Sequence, residues 1–143
     1  MTSAVLDDHL LRDLLADDIG PDLRRLLERH EAATTNLFLY RLSRSVVSAA
    51  GGALTGSWEP EHRQALGRRL LTLGDSVEVV PMRLLAYRMA EIADDHPVST
   101  LGAEAVAAAE HLDAPLCVWV GDDGPGIRSA ADVLDVSYRT ITR

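Results

Sequence analysis

The chain has 143 residues, 47% of them hydrophobic and 25% charged, with a formal net charge of −8; all 14 basic residues are arginine. This is one domain's worth of chain, able to bury roughly 70% of its unfolded surface, and its composition excludes disorder, collagen-like repeats and low complexity. The acidic balance argues against coating DNA or an anionic membrane, and the lone Cys117 and scattered histidines argue against a disulfide or structural zinc.

In chain order, Ala4-Val5-Leu6 reads as a first short strand, followed by a helix capped by Asp7 or Asp8 and carrying Leu10, Leu11, Leu14 and Leu15. Gly20-Pro21 breaks it, and Asp22 opens a second short helix. Glu31 to Thr35 is a weakly apolar strand candidate. Asn36 starts a stronger helix, ended by Gly51-Gly52, and Ala53 to Pro60 reads as a loop. A helix over Glu61 to Leu73 precedes Ser76 to Pro81, a β-branched alternating strand stopped by proline. Helices follow over Met82 to Asp94 and over the alanine-rich Leu101 to Leu112. Pro115 to Val120 is apolar throughout, as a strand covered on both faces must be. Asp122 to Gly126 turns into a last helix, and Val136 to Ile141 is an edge strand. Strands separated by helices run parallel with right-handed crossovers. The expectation is a single α/β domain over residues 1–143, a three-layer α/β/α sandwich around a mainly parallel sheet of about five strands. No apolar run approaches the roughly 18 residues of a membrane span. The opening MTSAVLDDHLL lacks a basic n-region, so a cytoplasmic protein is expected.

Four Asp-Asp pairs occur, and two of them, Asp7-Asp8 and Asp122-Asp123, directly follow apolar strands. In open parallel sheets ligands bind beyond the carboxyl ends of strands, so these pairs can converge from opposite ends of the sequence. Adjacent carboxylates repel unless a cation neutralises them, and Mg2+ or Mn2+ takes such oxygen donors. Each pair also has a structural reading: Asp7 is a good helix cap, and Asp122 to Pro125 is ordinary turn chemistry. Asp17-Asp18 and Asp94-Asp95 read as solvated loop charges.

With these positions in hand, AVLDDHLLRDLL and GAEAVAAAEHLDAPLCVWVGDDGPGIRSAADVLDVSYRTI resemble the PIN-domain family, metal-dependent ribonucleases that include the toxins of many toxin–antitoxin pairs. The first match places a family acid at Asp7, with Asp8 and His9 at the Thr and Asn positions of a D-T-N-type turn. The second has the alanine-rich helix, the A-P-L lead-in to the fourth strand and an acid at that strand's end. The resemblance implies Asp7, Glu104 and Asp122 as catalytic acids, with Asp7, Asp122, Asp123 and Glu104 around Mg2+ or Mn2+. Asp8, His9 and Asn36 are supporting candidates. It also implies RNA as substrate, an antitoxin-like protein as partner, and a homodimer.

The chain departs from the family pattern on the helix after strand two, where TTNLFLYRLSRSV offers Asn36, Tyr40 and Arg41 but no acid. The third family acid aligns with Gly102, two residues from Glu104; at about 100° per residue the two flank one apolar stripe, and phase does not choose between them. Val120 stands where Thr or Ser is usual. Two functions therefore stand side by side: a Mg/Mn-dependent ribonuclease of toxin type, and a catalytically degenerate PIN-like domain acting through protein association. Arg24, Arg25, Arg41, Arg44, Arg63, Arg68 and Arg69 form either a solvated face or a phosphate- and partner-binding one. Cys117 reads as inert core, Trp119 as sheet face and Trp58 as a loop-tip contact.

Overall fold

The computed structural model describes residues 2–48 and 52–143. Strands β1 (Thr2–Leu6), β2 (His30–Thr35), β3 (Glu78–Val80), β4 (Leu116–Trp119) and β5 (Tyr138–Ile141) form one sheet in the order β3-β2-β1-β4-β5. Every neighbouring pair is parallel. Among the described residues the helices are α1 (Asp8–Leu15), α2 (Pro21–Leu27), α3 (Asn36–Val47), α4 (Gly52–Thr55), α5 (Pro60–Leu71), α6 (Met82–Asp95), α7 (Thr100–Leu112) and α8 (Pro125–Val133). None of them is long and apolar enough to cross a membrane.

Successive strand side chains point to opposite faces, and both faces here are apolar. Val5, Leu116 and Val118 pack under α6, α7 and α8, whereas Ala4, Leu6 and Cys117 pack under the leucines of α1, α2, α4 and α5. The result is the expected three-layer α/β/α sandwich. The alanines of α7 are buried almost without exception, their small side chains letting this helix sit close to the sheet and to α6.

Weakly apolar β2 is a strand because its neighbours make it one. It lies between β1 and β3, Ala32 to Thr35 are buried, and the Thr34 hydroxyl donates to the Leu6 carbonyl at 2.8 Å. Thr35 then caps α3 by accepting from the Phe38 N–H. The segment read as a loop from Ala53 contains α4, whose Leu54 plugs the core beside α1. The Asp94-Asp95 pair belongs to the last turn of α6 rather than to a loop. Gly51, half of the pair expected to end α3, lies outside the described residues.

The chain leaves β1 toward β2 and β3, then crosses back to β4 and β5. Strand order thus reverses between β1 and β4, and the crevice beyond their carboxyl ends is where such sheets bind ligands.

Candidate metal site

Asp7 is the first residue past β1 and the N-cap of α1. One carboxylate oxygen accepts the Leu10 N–H at 2.9 Å; the other accepts the Trp119 N–H at 3.0 Å, tying β1 to the end of β4. Burial pushes its carboxyl up to about 7, the Leu10 N–H opposes that shift, and the neighbouring Asp8 adds to it.

Asp8 opens α1 and is 1% exposed. Its Oδ1 accepts the His9 N–H at 3.0 Å and faces His9 Nδ1 at 3.2 Å. Its Oδ2 makes no hydrogen bond; Arg41 Nη1, from α3, stands 3.3 Å away as an ion pair. His9 Nδ1 lies 2.6 Å from Asp122 Oδ2, and its ring packs on Trp119 at 4.5 Å between centroids.

Asp122 ends a single 3₁₀ turn, Val120–Asp122, that follows β4. The Trp119 ring folds over Gly121 so closely that a Cβ there would fall 2.4 Å from it. A side chain at 121 would displace the indole from its place against His9. One ligand atom from each of Asp7, Asp8, His9 and Asp122 thus falls within 4.8 Å of the others.

Asp7, Asp8 and Asp122 form the acidic end of a cavity of about 320 Å³, whose other lining includes Phe38, Arg41, Val98, Gly102 and Ile127. The donor set suits a cation: carboxylate oxygens dominate, and Asp8 Oδ2 is buried without a hydrogen bond, a costly state that a bound ion relieves. The cluster can hold a metal ion.

The remaining candidate residues lie elsewhere. Glu104 is fully buried, absent from the cavity lining and from the cluster; its Oε1 accepts the Leu37 N–H at 2.8 Å, satisfying a free donor at the start of α3. Gly102 faces the cavity. Asp123 turns away and is held by Arg128 at 2.8 Å and by the Tyr138 hydroxyl at 2.9 Å, contacts that lower its pKa, the Arg128 bond most. The Asn36 side-chain amide donates to the Val80 carbonyl at 3.3 Å. The sequence makes Asp7 a metal acid and Asp8 only a supporting candidate. Instead Asp7 serves the two backbone N–H groups and Asp8 sits beside it in the cluster. Sequence reasoning missed Arg41 as a pocket residue; its signal was a basic residue on the helix after strand two.

Cys117 is buried, its thiol pushed up to about 12 by desolvation. Trp58 is not a bare loop tip: it stacks on His62 at 4.5 Å, with the Arg12 guanidinium 5.9 Å from its ring.

No protein-family model and no curated protein sequence matches the chain. Among solved structures it is similar to a chain of one described as "Toxin-antitoxin complex from Klebsiella pneumoniae", with a TM-score of 0.58 and 15% sequence identity, over 87% of this chain and 92% of that one. The two share a fold. At that identity the likeness says nothing of which side chains do chemistry.

Proposed function

We propose that this chain is a PIN-like, toxin-type domain that hydrolyses RNA at the β1/β4 pocket with Mg2+ or Mn2+. The observation that carries the reading is the convergence of Asp7, Asp8, His9 and Asp122 within 4.8 Å at the topological switch point of the sheet. The fold shared with a chain of a toxin–antitoxin complex supports the toxin-type part. On this reading Asp7, Asp8 and Asp122 hold the ion. Bound there, a divalent cation supplies an activated water and charge neutralisation at a phosphodiester. His9 sets the orientation of Asp122, and Trp119 keeps solvent from one face of His9. Glu104 contributes by holding the start of α3, and Asp123 by fastening the turn after β4 to α8 and β5. An antitoxin-like protein and a second copy of the chain are the partners; light scattering that finds a monomer removes the second.

The test is cleavage of single-stranded RNA with Mn2+ by the wild type, Asp7→Asn and Asp122→Asn. Each substitution should lower the rate by about 10²-fold or more, since even the outer partners of metal ligands commonly cost 10–100-fold. Cleavage that survives both overturns the site.

A second reading, a PIN-like domain that has lost catalysis and acts through protein association, is favoured by one observation. Arg41, on the helix where the resemblance implies an acid, pairs with Asp8. Mn2+ binding without any cleavage would establish it.

A further inference from the structure

Asp8 Oδ2 is the least satisfied oxygen of the cluster: buried, on a residue that lines the pocket, and without a hydrogen bond. Its neighbour at 3.3 Å is Nη1 of Arg41, whose side chain is 50% exposed and reaches in from α3. The pairing is loose on one side only. Asp8 is fixed by His9 and by its place in the first turn of α1, whereas the Arg41 side chain is half-exposed and makes no hydrogen bond to Asp8. A doubly charged ion in contact with a buried carboxylate outcompetes a half-hydrated guanidinium there. Guanidinium in turn is weakly hydrated and matches a phosphate with two parallel hydrogen bonds.

We propose that Arg41 and a divalent cation compete for Asp8 Oδ2, so that cation binding releases Arg41 to grip a backbone phosphate of single-stranded RNA at the pocket mouth. The proposal rests on the metal-dependent reading above and adds to it a coupling between ion and phosphate. The coupling is reciprocal: the ion strengthens RNA binding, and bound RNA strengthens ion binding by the same factor. Removing the guanidinium, which competes with the ion, also strengthens ion binding. Arg41 thereby makes binding itself, and not only cleavage, depend on the ion.

Two titrations test it. In the first, Mn2+ is added to the wild type and to Arg41→Gln; the variant should bind roughly fivefold tighter or more, the lower range of such couplings. Equal affinities overturn the proposal, and absence of binding to both overturns the metal reading beneath it. In the second, 2′-O-methyl oligo(U) is added without metal to the wild type, Asp8→Asn, Arg41→Gln and the double variant. Asp8→Asn should bind the oligomer more tightly, and the gain should vanish when Arg41→Gln is combined with it. A gain of equal size in both backgrounds is bulk charge alone and overturns the exchange. In the wild type, Mn2+ should tighten oligomer binding; the same tightening in Arg41→Gln overturns the role of the guanidinium.

Discussion

The pocket has two walls built on different terms. On the β1/β4 wall, Asp7 caps a helix and receives the Trp119 N–H, Asp8 receives the His9 N–H, and Asp122 is delivered by a turn on whose Gly121 the Trp119 ring packs. On the facing wall, Arg41 comes from the exposed side of α3 and Gly102 from the first turn of α7, and neither position is needed by the sheet. Carboxylates that satisfy strand-end N–H groups are part of the fold, so they persist with it. Positions that only look into the pocket are free to become a cation or a glycine while the fold stands.

The sharpest way to break this comparison is Glu104, a helix-borne acid that the structure assigns to the fold. Glu104→Ala should destabilise the protein by about 3 kcal/mol, leaving the Leu37 N–H without a partner and a gap under α3. Denaturant unfolding measures it, and Glu104→Gln should cost about half as much. If Glu104→Gln instead leaves stability intact and abolishes Mn2+ binding, the two walls have been read the wrong way round.

Asp7 offers a pH signature. Its carboxyl lies at 3.8 when unfolded and about 7 when folded, so the folded state favours the protonated acid. The resulting stability is fully present below pH 3.8 and is lost as pH rises through 7. Without metal, urea unfolding should show the protein roughly 2.5 kcal/mol less stable at pH 8 than at pH 5 from this group. Asp7→Asn should remove that slope, although it sacrifices one of the two N–H acceptors at all pH values. A slope unchanged in the variant shows that another group is responsible.

Gly102 tests the permissive wall with a smaller effect. A Cβ there would meet Ser99 Oγ, Val98 and Ile127 at 3.5–3.8 Å, ordinary contact distances, so a side chain fits. Gly102→Asp restores an acid to the cavity and places it three residues after the cap Ser99, a position that favours a carboxylate. Without metal the added buried carboxylate should lower stability by about 1 kcal/mol or more, and Mn2+ should bind about fivefold tighter. Weaker binding would mean that position 102 does not face the ion.

Much of the fold was legible because apolar runs and leucine spacing reflect burial directly, down to the capping of α1 by an aspartate. One element was faint in the sequence and one was hidden, both for physical reasons. Strand β2, with its run of alanine and threonine, owes its conformation to pairing on both sides. Helix α4 is a single turn whose only strong signal is Leu54. In the site, the neighbourhood of Asp7 and Asp122 was readable from their strand ends. What could not be read was direction: Asp122 and Asp123 are identical residues in sequence, and a single 3₁₀ turn sends one to His9 and the other to Arg128. Likewise, nothing in the spacing of Glu104 shows that its carboxylate meets a helix N–H instead of the pocket.

That adjacent pair supplies the most direct test of the central claim. Mn2+ is titrated calorimetrically into the wild type, Asp122→Asn and Asp123→Asn at neutral pH. The account predicts a saturable site in the wild type, its affinity lowered at least about tenfold in Asp122→Asn and held within about twofold in Asp123→Asn. Absence of binding in the wild type, or equal loss in the two variants, contradicts a cation site built from Asp7, Asp8, His9 and Asp122.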